Sequence, residues 1–143
     1  MEDKKIYAAV KQHILVFYKE NPFVKYLGMD VNEIQSGEVK LSLFVAHEYT
    51  NMYKIAHGGV LMSLADTAMG AACLSCNKKV VTLDFNMNMI KAAPEATQIF
   101  AIGRILHDGS RTMVAECDLM DGENNLLAKA RGTFFVLERF LDA

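Results

Sequence analysis

The chain of 143 residues has no dominant charge: 15 lysines and arginines stand against 17 aspartates and glutamates, a formal net charge of -2. That balance excludes the broad basic surface a nucleic-acid duplex demands, so no nucleic-acid partner is expected. A long apolar run is also missing. Asp66, Lys78 and Lys79 break the hydrophobic stretches before they reach the roughly 18 to 20 residues that cross a bilayer as a helix, so no membrane association is expected. The first twenty residues, MEDKKIYAAVKQHILVFYKE, carry charges where a secretory signal would have an uninterrupted apolar centre. Cysteine is scarce, and Cys73, Cys76 and Cys117 form an odd set without the spacing of a disulfide framework, which points to a reducing, cytoplasmic setting. The spacing of CLSC at 73–76 would suit a metal or a redox pair, but none of the four histidines is placed with Cys117 to complete a ligand set. No metal is therefore expected, and all three thiols read as small buried apolar groups. No linker rich in proline, glycine or serine divides the chain, so residues 1–143 read as one domain of ordinary size.

What is present is a series of short periodic segments. Ile6, Val10, Ile14, Val16 and Phe17 recur at mostly helical spacing, predicting an amphipathic helix within residues 1–20 that stops before the Asn21–Pro22 pair. VKYLGMDVNEI and EVKLSLFVAHE flank QSG as two strands of a hairpin, with Val39, Leu41, Leu43 and Val45 on one face. Residues 59–76, rich in alanine, leucine and methionine, lack period-two alternation and predict a central buried helix. Beyond it KVVTLDFNMNMIKAAP alternates, with Val81, Leu83, Phe85, Met87 and Met89 on one side and Thr82, Asp84, Asn86 and Asn88 on the other. Three further strand-like runs, separated by DGS and GENN turns, complete an antiparallel meander. The sum is an α+β fold, a six-stranded antiparallel sheet around one long helix, with an extra N-terminal helix.

That helix contains the one unexpected residue. Ser63, Asp66, Thr67 and Gly70 fall on a single stripe of an otherwise apolar element, and no lysine or arginine lies within one turn of Asp66. A carboxylate in such surroundings costs several kcal/mol unless something outside the helix justifies it. It is either a general base or nucleophile exposed to a cleft, or a structural acceptor for Ser63, Thr67 or a neighbouring chain. His57–Gly58–Gly59, directly before the helix, would let a ligand approach free N–H groups that attract developing negative charge, an oxyanion hole in outline. The alternative is a glycine turn chosen for geometry, with His57 either an acid–base group or an orienting turn residue. Asp66 lies roughly 10 Å along the helix from the Gly59 amide of its own chain, so one chain does not bring both to one carbonyl. If both act, the carboxylate comes from a second subunit related by a two-fold axis.

At these residues the sequence resembles the hotdog-fold acyl-CoA thioesterases of the phenylacetate-pathway type. The resemblance runs from NPFVKYLGM through Asn51, HGGVLMSLADTAMG and VTLDFNMNMIKAA to HDGSRT and ARGTFFVL, and its specific part is HGG followed by an aspartate seven residues after the second glycine. It implies a hydrolase releasing free acid and coenzyme A, with no cofactor beyond the coenzyme A of the acyl-CoA substrate. By the same resemblance Asp66 is the catalytic acid contributed across the dimer, and the amides near Gly58 and Gly59 polarise the thioester oxygen. Asn51 matches a residue holding the thioester or the water, Thr82 a position near that water, and Gly109, Ser110 and Arg111 a loop bordering the coenzyme A nucleotide. The implied assembly is an obligate homodimer, paired further into a homotetramer. Many relatives carry glycine where this chain has Lys54, which predicts a different loop path before His57. A dehydratase of the same fold would need a different histidine pattern; a non-catalytic acyl-CoA sensor, binding the thioester without cleaving it, is the reading from another functional class.

Overall fold

A computed structural model of the protein describes residues 2–142. The chain runs α1 (Glu2–Glu20), α2 (Pro22–Tyr26), β1 (Asp30–Gln35), β2 (Glu38–Phe44), a 3-10 turn at His47–Tyr49, α3 (Gly58–Ser75), β3 (Lys78–Met89), β4 (Gln98–Asp108), β5 (Thr112–Met120) and β6 (Leu126–Arg139). The six strands are antiparallel in the order β1-β2-β4-β5-β6-β3, and α3 packs against all of them. This is the expected hotdog arrangement.

The core lies between α3 and the inner face of the sheet. Inward residues alternate along the strands: Val39, Leu41 and Leu43 on β2, Ile99 and Ala101 on β4, Met113, Ala115, Cys117 and Leu119 on β5, all essentially inaccessible. They meet Leu64, Ala65, Ala68, Met69 and Ala72 of α3. Each fully buried large side chain contributes about 1.5–3 kcal/mol, so these layers dominate the stability. Gly103 sets how closely the layers approach, because a Cβ there would overlap the Ala68 carbonyl of α3. On the outer face the strands carry charges, with Arg104 bonding Glu38 at 2.9 Å and Asp118 at 3.0 Å, and Lys129 reaching Asp118 at 3.0 Å.

Five expectations change. The segment beginning at Val24 does not open as a strand; Asn21 caps α2 by accepting from the Phe23 and Val24 amides, and Pro22 starts the helix where its missing N–H costs nothing. On α1 the buried ladder is Val10, Ile14 and Tyr18, while Val16 and Phe17 are about half exposed, because strict four-residue spacing decides the covered face. The meander contains only β4, β5 and β6, since β3 crosses to the far edge and pairs with β6. The alternation along β3 is also interrupted: a register shift between Thr82 and Asp84 puts Thr82 and Phe85 both toward α3 and leaves Val81 and Leu83 outside. Finally, α3 at 18 residues is long and apolar enough to cross a bilayer by length and composition, because Asp66 interrupts neither; its apolar faces are instead covered by the sheet.

Candidate functional site

The half-buried residues of α3 after its first turn are Ser63, Asp66, Thr67 and Gly70, the stripe read from the spacing, and they are the face the protein's own sheet leaves uncovered. Ser63 and Thr67 do not hold the carboxylate. The Ser63 hydroxyl donates to the Gly59 carbonyl and the Thr67 hydroxyl to the Ser63 carbonyl, both at 2.7 Å, back-bonds to their own helix. The Thr82 hydroxyl of β3 instead donates to Asp66 Oδ1 at 2.7 Å. The bulge makes this bond possible by turning Thr82 toward α3. Among the described residues no cation pairs with Asp66, and it opens into a cavity of about 200 Å³ lined also by Tyr18, Val24, Val80, Val81 and Phe134.

Nine residues upstream of Asp66, His57 is the N-cap of α3, and its Nδ1 accepts the Gly59 N–H at 2.9 Å. The imidazole proton therefore sits on Nε2, which faces solvent. The donor expected at Gly59 is already engaged, and the Gly58 N–H has no acceptor among the described residues. Gly58 is the first residue of α3, so that amide lies at the positive end of the helix dipole. About 12 Å of helix rise separates it from Asp66 in one protomer, and the two are not brought together.

The loop before His57 is tied to itself. Asn51 N–H donates to the Ile55 carbonyl at 2.9 Å, and Asn51 Oδ1 accepts the Tyr53 N–H at 2.9 Å. Lys54 takes φ 61°, a left-handed conformation that glycine adopts without a Cβ penalty. Gly109, Ser110 and Arg111 form the β4–β5 turn near the other end of α3, pinned by Lys78, which pairs with Asp108 and donates to the Gly109 carbonyl at 3.0 Å. Arg111 is exposed.

The cysteines behave as inert groups. Burial pushes the Cys73 thiol up to about 12, and burial also raises Cys76 and Cys117. Cys76 is half-buried rather than buried. No group of three or more metal-ligating side chains gathers among the described residues. The residues that sequence reasoning missed are Tyr18, Asn21, Phe23 and Val24, which bring α1 and α2 to the rim of the Asp66 cavity. No local pattern signals this, since only the docking of the N-terminal helices places them there.

Residues 53–128 match the family model of the Thioesterase superfamily. The acyl-coenzyme A thioesterase PaaI of Escherichia coli K12 is 26% identical over 121 residues, covering 85% of this chain and 86% of its own. Among solved structures, the E. coli PaaI protein from the phenylacetic acid degradation operon superposes with a TM-score of 0.87 at 24% identity, over 91% of this chain and 94% of its own, a likeness of fold. A Streptococcus mutans protein bound to acetyl CoA gives a TM-score of 0.76 at 29% identity over 78% of this chain and 90% of its own.

Proposed function

This chain belongs to the Thioesterase superfamily and is a thioester hydrolase, and on that footing we propose that it cleaves acyl-CoA to a free acid and coenzyme A, at a site built by two copies of the chain. The observation that carries this reading is Asp66: a carboxylate on an apolar helix, oriented by one hydroxyl, unpaired with any cation among the described residues, and opening into a cavity. Thr82 occupies Oδ1, which leaves Oδ2 to take a proton from water or to attack the thioester carbonyl. As the tetrahedral centre forms, its oxygen gains negative charge, and the unpaired Gly58 N–H of the partner subunit stabilises it together with the helix dipole. Collapse expels the coenzyme A thiolate. His57 positions this donor by capping α3 through the neighbouring Gly59 amide.

Distance imposes the second subunit. A two-fold axis that sets Gly58 of one α3 beside Asp66 of the other passes near the midpoint of the two, Met62, which is 43% exposed. The β3 edge supplies the rest of the contact: Val81, Leu83 and Met89 on the strand and Ile90 just past its end stand 47–59% exposed along an edge whose outer side is unpaired and demands cover. In such an antiparallel pair the Gly109–Ser110–Arg111 turn lies toward the partner's helix start, within reach of the nucleotide end of the substrate, where Arg111 pairs with phosphate.

The test is release of thiol from a panel of acyl-CoAs. Wild-type protein turns over, and Asp66→Ala loses about a hundredfold or more in kcat, the scale of a lost general base. Binding of acyl-CoA by the wild type without turnover, unchanged in Asp66→Ala, would instead assign a sensor.

A further inference from the structure

The cavity beneath Asp66 does not end there. Tyr18, Gly70 and Val80 line it and also line a second groove of about 350 Å³, whose other walls include Phe17, Leu74, Leu137 and Phe140. The first cavity, at about 200 Å³, is smaller than a usual small-molecule site of about 300–1,000 Å³; the two joined fall within that range. The lining changes along the path, from a carboxylate and hydroxyl at Asp66 and Thr82 to aliphatic and aromatic side chains around Leu137 and Phe140. Phe17 and Phe140 stand edge to face at 6.0 Å and form the far wall. The Lys79–Glu138 pair, at 3.1 Å, marks the exit to solvent.

Gly70 occupies the junction, one helical turn beyond Asp66 on the same stripe. A glycine inside a helix destabilises it relative to alanine, so its presence calls for a reason. Within the protein none exists, because a Cβ built on Gly70 meets no atom within 4 Å. The open space beside it adjoins both cavities, whose linings share Gly70, and is wide enough at that point to join them into one passage.

We infer that this passage holds the acyl chain of the substrate, that the enzyme acts on acyl-CoAs with a medium to long apolar tail, and that Gly70 sets the length accepted. The inference rests on the acyl-CoA hydrolase reading above. An apolar tail threaded from Asp66 over Gly70 covers Leu137, which is otherwise 57% exposed, and Phe17, 47% exposed. A short acyl group ends in the first cavity and gains none of this contact.

The experiment measures kcat/KM for dodecanoyl-CoA and butanoyl-CoA in the wild type, Gly70→Leu and Leu137→Glu. The ratio of the two is read, because it does not depend on how much of a variant is folded. The wild type favours dodecanoyl-CoA, and the ratio falls about tenfold or more in Gly70→Leu, which blocks the passage, and in Leu137→Glu, which puts a charge where the tail lies. A ratio unchanged in both variants overturns the inference while leaving the hydrolase reading intact. An unchanged ratio in a Leu137→Glu protein that stays active but elutes as a smaller assembly assigns the groove to a contact between dimers and also overturns it. A wild type that cleaves other acyl-CoAs of the panel but neither of these two overturns the inference and leaves the hydrolase reading intact, whereas one that cleaves no member of the panel removes both readings.

Discussion

Lys54 carries φ 61° in a loop that otherwise closes through paired backbone bonds, with its own N–H donating to the Asn51 carbonyl at 3.1 Å. For a residue with a Cβ this conformation costs about 1–2 kcal/mol, and glycine recovers most of it after its larger loss of chain entropy. Lys54→Gly is therefore expected to raise stability by about 0.5–1 kcal/mol, seen as a higher urea midpoint at unchanged slope; an equal or lower midpoint would contradict the strain. From the sequence this lysine implied a rerouted loop; the structure adds that it stands in a left-handed conformation, where a Cβ is strained. The stripe on α3 was readable at the same scale, since Ser63, Asp66, Thr67 and Gly70 follow from helical geometry alone. What Asp66 bonds to was not, because Thr82 reaches it only through a bulge that no glycine or proline signals.

In the proposed site the start of α3 serves stability and chemistry together. His57 accepts the second amide of the helix and leaves the first free, so its imidazole is both a cap and a positioning device. Replacing it with alanine removes one side-chain cap and should cost about 1 kcal/mol in thermal or urea unfolding, whereas His57→Asn, which supplies another oxygen acceptor at the N-cap, should recover most of the loss. Equal unfolding midpoints for wild type and His57→Ala would contradict the cap. The limits of α3 were legible to within one residue, since two glycines open it and its apolar composition is continuous up to Cys76. The short helix α2 was not, because Asn–Pro reads equally as the end of one helix and the beginning of the next. Strand alternation gave the buried face of β2, whose partners stand on both sides, but not of β3, whose register shifts twice against β6.

At the scale of the whole molecule, the proposed site is incomplete in one protomer. The edge position of β3 arises from a crossover that no local pattern records, and it leaves an apolar border along Val81, Leu83, Met89 and Ile90 beside the uncovered stripe of α3. About 12 Å of helix separates the carboxylate from the free amide, so the proposed reaction needs each from a different chain. Mixing two crippled proteins tests this most directly. Asp66→Asn keeps an oxygen for Thr82 and removes the base. Gly58→Pro removes the free amide at the first helical position, which suits proline, and His57, at ψ 138°, already has the conformation a following proline prefers; the flexible end of Met89, 2.9 Å from where a Cβ would stand, moves aside. Each variant alone is predicted to release coenzyme A at about a hundredth of the wild-type rate or less. Unfolded together and refolded in equal amounts, they are predicted to regain about a quarter of wild-type activity, because half the dimers are mixed and each of those has one intact site. A mixture as inactive as its parents, or a Gly58→Pro protein as fast as wild type, would contradict a site shared between subunits.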